Sequence, residues 1–169
     1  MQRVLLSSVL EAQLTAHLRA CYPLEGCGVL IGLRHSDTFE ITDVRPVRNI
    51  ETVRGEDRFT LDPREYAALE CELHGQAETI IGYFHSHPDG LSQPSSIDLE
   101  AAAGLFAFAR EVYLYAIQPT TASGAGELTF WRLAENASEF VRLSRGSLGS
   151  TSITAPAPPR EYRVQSNNG

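Results

Sequence analysis

The chain has 169 residues, of which 43% are hydrophobic and 21% are charged, and its 14 basic and 21 acidic residues give a net charge of −7. This length predicts about one domain, and the apolar content is enough for a core that needs no disulfide bonds. The sequence lacks a run of about 18 apolar residues, a signal-peptide pattern and a basic stripe, so we expect no membrane span, no secretory leader and no nucleic-acid partner.

The first elements predicted along the chain are a helix and a β-hairpin. Apolar residues at helical spacing over 8–20 predict an amphipathic helix, and Ser8 with Glu11 has the pattern of a capping box at its start. The apolar run at 27–33 is followed by a polar turn and then by alternating apolar residues up to Val44. This pattern indicates two strands joined as a hairpin.

A second helix, a buried strand and a third helix follow. A short strand is expected at 58–61, after which Asp62 and the proline next to it predict the start of a helix over 63–74. The β-branched and aromatic residues at 79–84 predict a buried strand that ends where a histidine pair begins. The alanine-rich segment 95–110 has its apolar residues on one side, which predicts the third helix.

The last predicted elements are two strands, at 112–118 and 127–133, joined by a turn of small residues. Beyond them the chain becomes rich in Ser, Thr, Pro, Gly and Asn, a composition that does not offset the entropy of ordering the chain. We therefore expect one mixed α/β (α+β) domain over 1–143 and a loose, disordered tail over 144–169.

The residues that predict chemistry lie at the end of the buried strand. Residues two apart on an extended segment project to the same side, so His85 and His87 can present their ring nitrogens to one point. Asp98 lies in the first turn of the third helix, behind a loop long enough to bring it back to the histidines. Two imidazoles and one carboxylate are the ligands of a catalytic Zn²⁺ site, which keeps a fourth position for water.

Peptide hydrolysis at such a site also needs a base, and Glu25 is the candidate. It stands just ahead of the apolar strand, where an acidic residue has no role in packing. Each residue also has a plainer interpretation. Glu25 fits a solvated loop position, the two histidines fit a surface pair, and Ser95 with Asp98 fits a helix capping box.

Taken together, these residues resemble the signature of the JAMM (MPN+) metalloproteases, in particular the small stand-alone prokaryotic type. The signature is a glutamate followed far downstream by H-[ST]-H-P-x6-S-x-x-D. Its elements are present as Glu25, His85, Ser86, His87, Pro88, Ser95 and Asp98. The stretch PLEGCGVLIG at 23–32 also resembles the surroundings of the glutamate in prokaryotic members, and the resemblance extends from about residue 5 to about residue 133.

The resemblance implies a role for each residue. His85, His87 and Asp98 would bind one Zn²⁺ per chain, and Glu25 would hold the catalytic water as acid and base. Ser95 would stabilise the oxyanion of the tetrahedral intermediate or orient the water. The implied fold is the JAMM/MPN core, a curved mixed β-sheet flanked by helices and similar to the cytidine deaminase architecture.

The resemblance also implies a substrate. Family members cleave isopeptide or peptide bonds after the C-terminal glycine of ubiquitin or ubiquitin-like proteins, and prokaryotic members similar to this chain are linked to sulfur carriers of the ThiS/MoaD type. A Gly-Gly tail can lie as an added strand in a groove too narrow for larger side chains. We expect the walls of that groove at 46–57 and 89–93, with Arg48 and Arg54 meeting an acidic carrier surface.

The sequence leaves two alternatives to this peptidase. One is a non-catalytic MPN-type protein-interaction module, and the other is a zinc amidohydrolase that acts on a small molecule. Every basic residue is an arginine, which excludes enzymes that need a lysine for Schiff-base or P-loop chemistry. Three scattered cysteines, an odd number, favour a reducing cytoplasm over an oxidising compartment.

Overall fold

Three helices and eight strands make up residues 2–146, the part of the chain that the computed structural model describes. In chain order they are β1 (Arg3–Leu5), α1 (Ser8–Cys21), β2 (Cys27–Arg34), β3 (Thr38–Val47), α2 (Pro63–Leu73), β4 (Thr79–Pro88), α3 (Ser96–Ala109), β5 (Leu114–Thr121), β6 (Gly124–Ala125), β7 (Thr129–Leu133) and β8 (Phe140–Arg145). Within residues 2–146, no helix combines the length and the apolar character that a membrane crossing requires.

The strands form one mixed sheet that closes on itself. In spatial order they run β4-β2-β3-β1-β8-β7-β5, and β4 also pairs with β5, so seven strands make a ring to which the short β6 is attached. β1 is parallel to both β3 and β8, and β4 is parallel to β5, whereas the remaining pairs are antiparallel. β2 and β4 are therefore neighbours, and this brings the segment ahead of β2 to the histidines.

Side chains along the strands alternate between two cores, as a period of two requires. The first core packs α1 against the sheet and includes Leu18, Leu30 and Phe84. The second core lies under α2 and α3 and includes Val29 and Tyr83. Neighbouring residues of β2 and of β4 thus enter different cores, which fixes the side of the sheet on which each later residue of β4 appears.

The mixed α/β class, the three helices and the hairpin are confirmed. Each helix begins and ends within one residue of its predicted bounds, and the hairpin is formed by β2 and β3. The strands predicted at 112–118 and 127–133 correspond to β5 and β7, each of which begins two residues later. Helical periodicity and local capping residues were sufficient for these predictions because they depend on neighbours in the sequence.

Three local predictions are wrong. Residues 58–61 form no strand, because their pairing is limited to an isolated bridge between Leu61 and Asn49. The buried strand does not end at residue 84, because the next four residues pair with 117–120 of β5 and extend β4 to Pro88. The cap of α1 is Ser7 rather than Ser8, since the Ser7 side chain accepts the hydrogen bond from the Leu10 amide.

The sequence predicts neither β1 nor β8, which complete the ring. β1 is only three residues long, and its partners are 35 and more than 100 residues away in the chain. β8 extends to Arg145, two residues past the predicted end of the domain at 143. The rest of the predicted loose tail, residues 147–169, lies outside the described residues.

Candidate metal centre

Strand β4 presents both histidines on the same side of the sheet. Tyr83, His85 and His87 are two residues apart and share the face covered by α2 and α3, whereas Phe84 and Ser86 project into the opposite side. The two imidazoles are therefore side by side, with ring centroids 4.9 Å apart. The predicted juxtaposition follows from the continuation of the strand through the whole motif.

The carboxylate of Asp98 completes a compact group of three side chains. The Nε2 atoms of His85 and His87 are 3.0 Å apart, and they lie 3.1 and 3.2 Å from the two carboxylate oxygens of Asp98. One potential ligand atom from each residue lies within 4.8 Å of the others. Two imidazole nitrogens and a carboxylate oxygen directed to one point form a donor set that suits Zn²⁺.

Hydrogen bonds orient two of the three side chains. Nδ1 of His87 lies 2.7 Å from the carbonyl oxygen of Leu91, so Nδ1 can donate its proton there and leave Nε2 as a free electron-pair donor. Asp98 accepts hydrogen bonds from the amide (2.6 Å) and the hydroxyl (2.7 Å) of Ser95. The capping box predicted at the start of α3 is thus present, and it also fixes the Asp98 carboxylate.

The protonation states of His85 and Asp98 favour metal binding as well, whereas for His87 burial is outweighed by the hydrogen bond and charge of Asp98, which raise the pKa. Burial lowers the pKa of His85, so its ring is held in the neutral form. Burial alone would raise the pKa of Asp98, but hydrogen bonds with His85 and His87 hold it well below its usual range. Neutral imidazole and ionised carboxylate are the forms that bind a metal ion, so the residues present fit Zn²⁺.

Glu25 is buried beside this group, with 6% of its surface exposed. Its amide donates to the carbonyl oxygen of Gly55 (2.6 Å). The next residue, Gly26, is held by Ser86, whose amide donates to the Gly26 carbonyl (3.0 Å) and whose hydroxyl accepts from the Gly26 amide (2.9 Å). Ser86, the residue between the histidines, thereby fastens the segment that carries Glu25 to β4.

Glu25, His85 and Asp98 line one cavity of about 260 Å³. Its complete lining is Glu25, Glu51, Asp57, Arg58, Phe59, Thr60, His85, Ile97, Asp98, Ala101 and Tyr115. Four of these residues are acidic and one is an arginine, so the cavity favours a cation. Burial raises the pKa of Glu25 to about 8, as do the charges of Asp98 and Asp57, while the charge of His87 opposes this shift.

Two other predicted site residues, Arg48 and Arg54, are paired with carboxylates of the chain. Arg48 binds Asp62, the N-cap of α2, and Arg54 binds Asp57. Neither arginine belongs to the cavity lining, although Arg58 does. Both predicted arginines are exposed, with 67% (Arg48) and 49% (Arg54) of their side-chain surface accessible.

Sequence reasoning missed the aromatic wall of the cavity. The ring of Phe59 stacks on the ring of His85, with centroids 4.8 Å apart and an angle of 30° between the planes. Tyr115 contributes from β5, which is paired with β4. The local signals for Phe59 are its place in a segment predicted as a short strand and the resemblance of the stretch RFTLDP at 58–63 to the prokaryotic subgroup.

Comparison with protein families identifies the family of the chain. Residues 7–134 match the family of prokaryotic homologs of the JAB domain. The chain belongs to this family. The predicted resemblance to JAMM/MPN proteins is thereby confirmed.

Three named relatives share parts of this JAB-family sequence. COP9 signalosome complex subunit 5 of Gibberella zeae is 30% identical over 130 residues, which are 75% of this chain and 38% of that protein. A desampylase of Haloferax volcanii is 36% identical over 83 residues, which are 48% of this chain and 56% of that protein. Tail tip assembly protein K of Escherichia phage N15 is 35% identical over 83 residues, which are 49% of this chain and 30% of that protein. The matched regions thus span at most 56% of the length of these relatives.

Solved structures confirm the fold. A protein from Desulfitobacterium hafniense has a TM-score of 0.67 at 22% identity, covering 84% of this chain and 90% of that one. A protein from Salinibacter ruber has a TM-score of 0.61 at 28% identity, covering 88% of this chain and 94% of that one. The fold shared with these two proteins therefore extends over nearly all of the described residues.

Proposed function

We propose that this JAB-family chain is a zinc-dependent metallopeptidase that hydrolyses the bond after the C-terminal glycine of a ubiquitin-like protein. The observation that carries the proposal is a cluster of three potential metal ligands beside a cavity that two of them line together with Glu25. Two histidines and Asp98 direct their donor atoms to one point, and the buried carboxylate of Glu25 lines the same space. A non-catalytic interaction module would have no need to bury a carboxylate opposite three such donors.

In this proposal His85, His87 and Asp98 hold one Zn²⁺ per chain. When bound, Zn²⁺ polarises the scissile carbonyl group and lowers the pKa of a water molecule. The Leu91 carbonyl and the Ser95 amide and hydroxyl keep two of the ligands oriented.

Glu25 moves the proton in this mechanism. Its carboxylate takes a proton from the attacking water and returns it to the nitrogen of the leaving amine, so the scissile C–N bond breaks to give a neutral amine and a carboxylic acid, which then releases its proton to solvent. Burial supports this role because a carboxyl group with a raised pKa is basic enough to accept the proton and acidic enough to release it.

Ser95 has two roles in the proposal. Its hydroxyl accepts from the Asp98 amide and donates to the Asp98 carboxylate, which caps α3 and fixes a ligand. It is also exposed at the start of the helix, next to the cavity-lining Ile97 and Asp98. We propose that the same hydroxyl turns its single proton from the Asp98 carboxylate to the carbonyl oxygen as negative charge develops there, while the Ser95 amide keeps Asp98 in place.

The substrate we propose is a ThiS/MoaD-type sulfur carrier in the cytoplasm. The likeness to proteins named desampylase and COP9 signalosome complex subunit 5 supports a ubiquitin-like substrate. Arg48 and Arg54 would meet acidic side chains of the carrier. Each is exposed. On binding, Arg48 would leave Asp62 and Arg54 would leave Asp57, and each would pair with a carboxylate of the carrier.

The test uses a ThiS/MoaD-like carrier that bears a C-terminal extension, incubated with the protein with and without a chelator. We expect cleavage after the terminal glycine, loss of cleavage with the chelator, and a fall in kcat of at least about 100-fold in Glu25→Gln, from loss of the general base. The Glu25→Gln variant should still bind one Zn²⁺. Glu135→Gln, in the distant turn between β7 and β8, is the matched control and should cleave normally.

The ligands are tested in the same assay. His87→Ala and Asp98→Ala should lose stoichiometric Zn²⁺ and activity together. Full activity with the chelator present, or in Glu25→Gln, would contradict the proposal. Turnover of small amides without cleavage of any carrier would instead identify an amidohydrolase.

A further inference from the structure

The side chain of Asn49 makes four hydrogen bonds, all to backbone groups. Its Nδ2 donates to the carbonyl oxygens of Glu25 and Arg58, at 3.1 Å each. Its Oδ1 accepts from the amides of Glu51 and Thr60, at 3.0 Å each. A carboxamide has two protons to donate and two lone pairs on its oxygen, so the capacity of this side chain is fully used.

Two of those bonds are made by the backbone groups on either side of Phe59 in the chain. They hold the carbonyl that precedes it and the amide that follows it, and the Ile50 amide adds a bond to the Thr60 carbonyl (2.9 Å). Phe59 is thus held as part of a loop, residues 49–60, whose two ends are joined through Asn49. The ring of Phe59 is thereby kept against the ring of His85.

The orientation of the His85 ring depends on its contact with Phe59, whereas the His87 ring is oriented by a hydrogen bond. Nδ1 of His85 is buried and has no hydrogen-bond partner among the described residues, whereas Nδ1 of His87 is bonded to a carbonyl. A metal-binding imidazole is ordinarily oriented by a hydrogen bond to its second nitrogen. The stacked ring of Phe59 takes the place of that bond in fixing the plane of His85.

The same loop holds the backbone of Glu25 at both of its polar groups. The Glu25 carbonyl accepts from Asn49, and the Glu25 amide donates to the Gly55 carbonyl (2.6 Å). Asn49 therefore connects directly to the segment that carries the proposed base and, through Phe59, to a proposed metal ligand.

We propose that Asn49 is a positioning residue for both halves of the centre, fixing Glu25 by its backbone and His85 through the ring of Phe59. The inference rests on the proposed function. It predicts that Asn49 affects two separable properties, metal affinity through Phe59 and proton transfer through Glu25.

The first experiment measures Zn²⁺ affinity by competition with a chromophoric chelator, and the visible spectrum of bound Co²⁺. Phe59→Leu keeps an apolar side chain but removes the stacking, so we expect Zn²⁺ to bind about tenfold more weakly, with a changed Co²⁺ spectrum. Phe59→Tyr keeps the ring, so its Zn²⁺ affinity and Co²⁺ spectrum should match those of the unaltered protein. At saturating Zn²⁺, Phe59→Leu should regain most of its kcat, because Glu25 is unaffected.

The second experiment uses Asn49→Ala and the isosteric Asn49→Asp, which keeps both acceptor bonds and loses both donor bonds. Each should weaken Zn²⁺ binding about as much as Phe59→Leu, and the double variant Asn49→Ala with Phe59→Leu should bind no more weakly than the single ones. Unlike Phe59→Leu, the Asn49 variants should keep a lowered kcat at saturating Zn²⁺, with KM unchanged. Asn136→Ala, which removes an amide that caps a distant turn, is the matched control.

The outcomes separate the inference from the function on which it rests. Unchanged Zn²⁺ affinity and Co²⁺ spectrum in Phe59→Leu, or in a folded Asn49→Asp, would overturn the inference while the function stands. A melting temperature that falls in the Asn49 variants without any change in affinity or kcat would show a merely structural role, and would overturn it too. Failure of the unaltered protein to bind Zn²⁺ would remove both.

Discussion

At the scale of single residues, the site depends on a position that has no side chain. Gly28 of β2 pairs with Phe84 of β4, the residue just before the first histidine. A β-carbon at residue 28 would overlap with the ring of Phe84 and with the carbonyl oxygen of Arg45. The absence of a side chain therefore allows β2 and β3 to approach the fully buried ring of Phe84.

Gly28→Ala should accordingly destabilise the protein by about 1–3 kcal/mol, the cost of overpacking a core. Gly104→Ala in α3 is the matched control, because a β-carbon there meets no atom within 4 Å. The control should leave stability unchanged or raise it by up to about 1 kcal/mol, since alanine favours a helix over glycine. Urea unfolding of both variants measures the difference, and equal stabilities would contradict the overlap at residue 28.

Residue patterns in the sequence were enough to predict which groups meet. The spacing and chemistry of Glu25, His85, His87 and Asp98 single them out; in the structure the two histidines cluster with Asp98, and Glu25 lines a cavity with His85 and Asp98. Their roles stay predictions until the experiments above are done. Asn49 and Phe59 were not singled out, because their contacts join segments far apart in the chain and have no local periodicity.

At the scale of elements, the helices and the caps of α2 and α3 were predictable, whereas the cap of α1 was not. Ser7 and Ser8 are adjacent and chemically equal, and the pattern with Glu11 favoured Ser8. The structure has Ser7 in the extended conformation of an N-cap, with its hydroxyl 3.2 Å from the Leu10 amide. Only the backbone conformation, which the sequence does not display, separates the two candidates.

The correction can be tested by two alanine substitutions. Ser7→Ala should cost about 1 kcal/mol of stability, because the Leu10 amide loses its partner. Ser8→Ala should cost nothing or stabilise slightly, since residue 8 lies inside the helix, where alanine is favoured. Thermal unfolding of the two variants measures both effects, and a larger loss of stability in Ser8→Ala would identify Ser8 as the cap of α1.

Strands were less predictable than helices because their partners are distant. The polar residues after Phe84 have the composition of a loop, yet their backbone is paired with β5. Phe59 and Leu61 alternate as in a strand, but the pairing there is a single bridge to Asn49. In both cases the hydrogen-bonding partner, rather than the local composition, determines the structure.

At the scale of the whole molecule, β8 joins the two halves of the ring. It pairs with β7 on one side and with β1 on the other, and it contributes the buried Leu143 to the first core. Removing it would expose that core and leave one edge of β1 and one edge of β7 unpaired. The fold therefore needs the chain as far as β8, beyond the end of the family match at residue 134.

Two shortened proteins test this requirement. A protein that ends at Gly146 should unfold at the same temperature as the full chain, because the composition after it predicts a loose tail. A protein that ends at Leu133 should lose cooperative unfolding, since it lacks β8. If the protein that ends at Gly146 melts at a markedly lower temperature than the full chain, residues 147–169 contribute to stability.

The position of β4 between β2 and β5 also restricts how the proposed polypeptide substrate can approach the histidines. β2 pairs with β4 as far as His85, and β5 pairs with it from Gly82 to Pro88. Up to His85 an extended peptide thus has no free edge of β4 to pair with, and it must cross over that part of the strand to reach the histidines. The backbone amides of the peptide must then form their hydrogen bonds with the connecting segments at the mouth of the cavity. Those segments, rather than the sheet, would therefore determine which substrate binds.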